Sequence, residues 1–456
     1  MPLKTYERPY LRKLNAGLGN KFGTRNSQVP VTEIDGVPVA KLMEEYGSPC
    51  FVLSEQTIRQ TYRNAVRAFS TRYPKVQMAW SYKTNYLNAV CRIFHDEGSW
   101  AEVVSIFEYR KALANGVPGT QILFNGPDKS EDDLRTAVQH GSLIHIDHLD
   151  EVYLLSEILA SEGLKARVAL RINMDTGVYP LWDRFGFNYE NGSAWTAVTK
   201  VMAQPRMELV GLHCHIGTYM LSAQAYAVAS HKLCDLADEI RKQYQRRIEY
   251  LDLGGGFASG NTLKGSYLQG SDVIPTMDDY AEAITSTILQ HPFAMSGEIP
   301  TLYLESGRAL IDDAGYLLGS VLALKRLGDG RRATIMDFGV NLLFTSFWYE
   351  HRISPAQEYS SHHEDMVLYG PLCMNIDVVR ENVSLPLLKR GDRVVVHRVG
   401  AYNMTQWMQF IQMRPNVVLI DRQGQVHLIR RRETVDTLNE MELTPLHLEL
   451  GQGKPA

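Results

Sequence analysis

Two histidines stand one residue apart in GLHCHIGTY, residues 211–219. Alternate residues of a strand face the same side, so His213 and His215 would point their imidazoles together. Such a pair suits a metal site, a cofactor clamp or simple ring packing, and the stretch alone does not choose. Other chemistry-bearing residues are Lys83 in SYKTN, the glycines at 254–256 in LGGGF, and Glu305 in ESGR. A glycine triplet directly after a strand exposes backbone N–H groups, which suits a phosphate. A lysine across from such an anion site suggests a Schiff base to a phosphorylated aldehyde cofactor. Taken singly, each feature is ordinary, because most lysines are solvated and many glycine triplets are only turns. Their meaning depends on a fold that brings them to one place.

The elements between residues 78 and 306 supply that fold. Eight short β-rich runs alternate with helical patterns: MAWSYK, AEVVS, ILFNG, LIHID, ARVALRIN, LVGLHCH, EYLDLG and TLYLES. Leu87, Val90, Cys91 and Phe94 fall on one helix face, and Gly98 stops that helix. Ser130 reads as an N-cap with an acidic third position, followed by Leu134, Ala137 and Val138. Eight strand–helix units in series predict a parallel (β/α)8 barrel, with a doubly wound sheet and a mixed α/β layer protein as competitors. Barrel enzymes place their chemistry at the carboxyl ends of the strands. Those ends carry Lys83, Glu102 with Ser105, Asn125, Asp147, Asn173, His215, Gly254–Gly256 and Glu305, each group on its own strand.

The flanks read differently. Beyond residue 310 short extended runs dominate, and DRQGQ joins two of them as a hairpin; near the start, VTEIDGVPV carries an Asp-Gly turn. The expected organisation is an N-terminal segment, 1–50, packing with a C-terminal β domain, 311–456, around a barrel at 51–310. A net charge of −4 gives no reason to expect nucleic acid or an anionic membrane as partner. No apolar run approaches the roughly 18 residues that span a bilayer, and the charged start MPLKTYERPYLRKL has no signal-peptide core. The five cysteines are odd in number and form no CxxC pair, which fits a reducing cytoplasm and speaks against disulfides or structural zinc.

SYKTN, HCHIGTY, LGGGF, ESGR, GPLC at 370–373 and GAY at 400–402 occur in an order that resembles the fold-type III pyridoxal-phosphate decarboxylases. These are the family of diaminopimelate and ornithine decarboxylases, with an alanine-racemase-like barrel and a β domain. The resemblance runs from about residue 48 to 430, and IFEYRKALANG and RFGF fit it as well. It implies that Lys83 holds pyridoxal 5′-phosphate, with a pKa best lowered by burial or a neighbouring cation. It implies that His215 stacks on the ring as a clamp, leaving His213 to fill the interior beneath. Thr218, usually serine in the family, would reach the phosphate with Gly254, Gly255 and Gly256. Glu305 would pair with the ring nitrogen, Arg308 would lie near phosphate or substrate carboxylate, and Tyr402 would lie close to the phosphate. Cys373 would act near Cα from the partner subunit, as proton donor, which implies a homodimer with shared sites. The metal reading needs further ligands on other strands, for which His145 and Asp147 are the candidates.

The departures concern the substrate. An acid usually follows the family cysteine, and Met374 stands there. Thr345 occupies the place of an arginine, while the associated Tyr349 is present. Glu350 and Asp377 are the acids that could reach in for the missing one, and neither lies at the family position. The expected activity is decarboxylation of an amino acid, or of an amino-acid-derived intermediate, free or carrier-bound, whose tail is not a simple distal amine. The alternatives are an ordinary meso-diaminopimelate decarboxylase, an amino-acid racemase, and an inactive relative that only binds protein. The last should have lost Lys83, Glu305 or Cys373, and none is lost.

Overall fold

The computed structural model describes residues 29–266, 270–295, 299–359 and 363–448. Of the expected N-terminal segment, residues 1–28 lie outside the described ones. Eight parallel strands form a closed barrel: Val76–Ser81, Trp100–Val103, Ile122–Phe124, Leu143–Ile146, Ala166–Asn173, Met207–His213, Tyr250–Asp252 and Thr301–Leu304. The ring closes where Leu302 pairs with Val76 and where Leu212 pairs with Leu170. Each run read from the sequence is a barrel strand.

Strand alternation sorts the residues into two faces. Outward positions such as Met78, Trp80, Val168 and Leu170 pack beneath the crossover helices. Inward positions form an apolar tier of Ala79, Leu123, Leu143, Ala169, Val210, Tyr250 and Tyr303. Further along the same barrel strands the inward positions become polar: Ser81, Glu102, Asn125, His145, Arg171, His213, Asp252 and Glu305. Gly211 makes room for this stacking, since a Cβ there would lie 2.1 Å from the Tyr250 ring. The helix Asn88–Asp96 buries Val90, Cys91 and Phe94, and Gly98 adopts φ +92° just beyond it. Helix Glu131–Gln139 starts with a capping box between Ser130 and Asp133. Among the described residues no helix is long and apolar enough to cross a membrane.

A second sheet lies beside the barrel. Cys50–Ser54 runs antiparallel to Gly315–Arg326 and parallel to Asn416–Ile420, which turns through 421–425 into Val426–Arg430. The Asp-Gly turn is a tight hairpin with Asp35 at φ 47° and Gly36 at φ 78°. Helix Val39–Tyr46 then buries Val39, Leu42 and Met43 against Val52, Leu318 and Val418. One expectation needs correcting: a barrel unit beginning at 51 cuts through Cys50–Ser54, which belongs to the second sheet. The barrel's first strand begins at Val76, after helix Glu55–Ser70; Arg72, two residues beyond that helix, pairs with Asp278 and Glu282 on the last long crossover helix. The strand Gly315–Arg326 went unread, because a long apolar run with leucines does not distinguish a strand from a buried helix.

Candidate functional site

Lys83 lies in a single 3-10 turn, Tyr82–Thr84, directly after the first barrel strand. Its ammonium donates to Glu102 Oε2. Asn125 Nδ2 donates to Glu102 Oε1 at 3.0 Å and to Glu305 Oε1 at 2.6 Å, so one amide spaces two carboxylates. Burial alone would lower the Lys83 pKa, but Glu102, Glu305 and Tyr402 outweigh it and hold the ammonium above its ordinary value. That reverses the expectation of a lowered lysine; the cation is paired here, not destabilised.

Glu305 is buried at the end of the eighth strand, anchored by its backbone N–H to Gly254 O at 2.8 Å. Its Oε2 faces His213 Nε2 at 3.3 Å. The two histidines of the opening motif both line the pocket but have different partners. His213 lies inside the barrel against His145, with ring centroids 4.9 Å apart. His215 lies on the pocket wall, where its Nδ1 accepts the Gly255 N–H at 3.2 Å. Burial, then Arg171 and Lys83, push the His215 pKa down to about 3, so its ring is neutral at neutral pH. The candidate metal partner Asp147 is turned away, with Arg171 Nη1 at 3.5 Å.

Gly255 and Gly256, with Thr218, Gly307, Arg308 and Tyr402, line a small cavity that opens into a pocket of about 390 Å3. A Cβ on Gly255 would lie 2.3 Å from Glu305 O, and one on Gly256 would lie 2.2 Å from Gly217 O. Gly256 also sits at φ +92°, a conformation that favours glycine. Gly254 does not line the cavity; its backbone is packed behind, where a Cβ would lie 2.5 Å from Cys214 O. Arg308 is buried among the rings of Tyr402, Tyr349, Tyr219 and Trp348, at 4.6, 5.2, 5.6 and 5.9 Å. Such a cage holds the guanidinium in place with its charge still available. Tyr402 lies in the turn after the second-sheet strand Arg393–His397 and ties that sheet to the lysine turn, its N–H donating to Thr84 O at 2.8 Å.

The tail-recognition residues expected from the sequence are placed differently. Tyr349 is buried and accepts from Arg308 Nη1, away from the pocket wall. Thr345 is also buried, its hydroxyl donating to Asn403 Oδ1 at 2.8 Å and meeting His351 Nε2 at 2.7 Å. Cys373 is exposed on the turn before strand Val378–Pro386, and neither it nor Met374 lines this chain's pocket. Asp377 cannot reach in, because its two oxygens accept the Val340 and Leu372 N–H groups at 2.8 Å each. Glu350 pairs with Arg380 at 3.4 Å. In their place the outer wall presents Arg171, Trp182, Phe185, Trp348 and Gln406. Arg171 was findable, since it precedes Asn173 by two on one strand and so shares its face; the loop and aromatic residues carried no periodic signal.

A lysine, a neutral imidazole, a carboxylate and a glycine-walled anion cradle at one barrel mouth define a pyridoxal-phosphate enzyme of the barrel type. A family model described as the pyridoxal-dependent decarboxylase, pyridoxal binding domain, matches residues 57–312. The chain belongs to this family of pyridoxal-phosphate-dependent carboxy-lyases. The diaminopimelate decarboxylase of Bacillus subtilis is 29% identical over 92% of this chain and 97% of its own length. That of Methanocaldococcus jannaschii is 30% identical over 91% of this chain and 95% of its own. A crystal structure of an M. jannaschii diaminopimelate decarboxylase with L-lysine covers 91% of this chain and 97% of its own, at 30% identity and TM-score 0.84. The racemase reading and the inactive reading both give way to this assignment. The cavity fits the cofactor's phosphate at the backbone of Gly255 and Gly256, which line it and are packed too tightly against Glu305 O and Gly217 O to carry a Cβ.

Proposed function

We propose that this carboxy-lyase removes the α-carboxylate of an amino acid whose tail carries no free distal ammonium, and that it works as a two-fold dimer. Pyridoxal phosphate, when bound, supplies the electron sink for the charge left at Cα. Lys83 holds the aldehyde end covalently, and Glu102 holds its ammonium beforehand. Thr218, Gly255, Gly256, Arg308 and Tyr402 bind the phosphate end, and neutral His215 stacks on the ring face. Glu305 offers a fixed negative charge at the ring nitrogen, its carboxylate kept in place by Asn125. Cys373 is exposed and does not line its own chain's pocket, which supports a role across a dimer interface as proton donor to Cα. The four other cysteines are buried and free, which supports a reducing cytoplasm.

The observation that carries the substrate reading is the tail wall. A buried distal ammonium left without an acid costs several kcal/mol. Met374 stands where that acid is expected, Asp377 and Glu350 are engaged elsewhere, and Thr345 is buried against His351. Trp182, Phe185 and Trp348 offer flat apolar surface instead. A neutral, bulky or conjugated tail suits that wall, on a free amino acid or on a carrier protein. A second reading, meso-diaminopimelate, is favoured by the names of relatives that match nearly end to end. A decarboxylation assay over lysine, ornithine, meso-diaminopimelate and amino acids with neutral tails decides between them. Poor turnover of the first three, with a gain for diaminopimelate in Met374→Glu, supports the proposal. Robust diaminopimelate turnover by the unmodified protein overturns it in favour of the second reading.

A further inference from the structure

At the floor of the pocket, and just beneath it, lies a group of titratable side chains of which the proposed function uses one. Asp252 ends the seventh strand and Glu305 follows the eighth, with His145 and His213 completing the group. All four are buried, and one nitrogen or oxygen from each lies within 4.8 Å of the others. Glu305 is supplied with donors, from Asn125 at 2.6 Å and from His213 at 3.3 Å. Asp252 Oδ1 accepts the Gly254 N–H at 2.8 Å, but its Oδ2 meets no N–H or O–H donor. Neither carboxyl can withdraw, because Asp252 is paired in the sheet with Tyr303, two residues before Glu305.

We infer that Asp252 is a positioning residue whose Oδ2 carries a proton and donates it to Glu305, so that the pair bears one negative charge and Glu305 holds it. Two carboxylates this close and this dry do not both ionise, and the proton settles on the one with fewer outside donors. The other groups facing the pair agree. His213 and His145 are neutral by burial, and Glu102 on the second strand adds negative potential. The cations at the rim, Lys83 and Arg171, are turned to Glu102 and Asp147. Tyr250 and Tyr303 lie against Asp252 with their phenols pushed up by burial and by its carboxyl. Burial first, then Glu305, push the Asp252 carboxyl well above the ordinary range. The catalytic consequence rests on the reading of Glu305 as the ring nitrogen's partner, whereas the shared proton stands without it.

Asp252→Asn in the full-length holoenzyme tests this, because asparagine keeps the acceptor for Gly254 and puts an N–H where the acid's O–H is placed. Asp252→Asn should hold pyridoxal phosphate within about threefold of wild type, with the visible band intact, while Asp252→Ala weakens it by about tenfold or more. A carboxyl raised in the folded state takes up a proton on folding, so its stability is lost as pH rises above about 4. The unfolding constant of wild type relative to Asp252→Asn should therefore grow by up to about tenfold per pH unit through neutral pH and converge near pH 4. Equal damage from asparagine and alanine, with a gap independent of pH, overturns the inference. Should the variant not fold, wild type with 13C-carboxyl aspartate serves: one carbon must stay at the protonated position at about pH 8, and none doing so overturns it. One tightly held divalent ion per chain, seen by native mass spectrometry and lost in Asp252→Asn, overturns it as well.

Discussion

At the cofactor end of the pocket each wall residue leaves a strand terminus or a glycine turn, whereas at the tail end the wall, Arg171 apart, comes from loops and aromatic rings. Lys83, Glu102, Asn125 and Glu305 are held by neighbouring strands and by one another. Trp182 and Trp348, by contrast, are each 37% exposed on connecting segments. Strand ends in a closed barrel have little freedom, so the groups that must meet a fixed cofactor are built there. Loops tolerate substitution, so what differs between substrates is built on them. The tail end here differs from the family pattern at Thr345 and Met374, while the cofactor end departs only conservatively, as at Thr218, and keeps Lys83, His215 and Glu305, which is what this division of labour leads one to expect.

Substitutions at the two ends should therefore separate. The largest effect belongs to Lys83→Ala: no band reducible by borohydride, and turnover lower by about 10^3-fold or more. Covalent pyridoxal phosphate in that variant would break the assignment of the cofactor end. Gly256→Ala comes next, since its Cβ would meet Gly217 O at 2.2 Å in a left-handed backbone. Cofactor affinity, followed by absorbance titration, should fall by about ten- to a hundredfold. Unchanged affinity would mean that the cradle is elsewhere.

The exposed turn bearing Cys373 sharpens the comparison, because it contributes to the site only if a partner subunit brings it. Lys83→Ala and Cys373→Ala proteins should each be crippled, yet mixing them with random subunit exchange should restore up to about a quarter of wild-type activity. Exchange without recovery would confine Cys373 to its own chain.

The smallest effect concerns His351, which holds Thr345 away from the pocket. Burial keeps its pKa down at about 3, below the unfolded value, so its stabilising effect is full above about pH 6.5 and is lost on acidification. Relative to His351→Asn, wild type should lose up to about 1.4 kcal/mol per pH unit between about pH 6 and 4, as read by denaturant titration. A gap constant with pH would show that His351 is already charged in the fold.

The barrel was legible because eight strands alternate with helices, and their ends could be read for Lys83, Glu102, Asn125 and Glu305; that Arg171 and Asp252 also face inward emerged only from the strand bounds. The motifs around Lys83, His215 and Gly254–Gly256 were legible for the same local reason: each is set by a few consecutive residues. The boundary near residue 50 was misread because Cys50–Ser54 pairs with Gly315–Arg326 and Asn416–Ile420, partners more than 260 residues away. Long-range packing also decided the tail end. Tyr349 is a support for Arg308, Thr345 is sealed under His351, and Asp377 caps its own turn. Residue type and spacing determine which groups a strand end can offer. Which of those groups remains free for a substrate depends on neighbours brought from elsewhere in the chain, and only the tertiary structure supplies them.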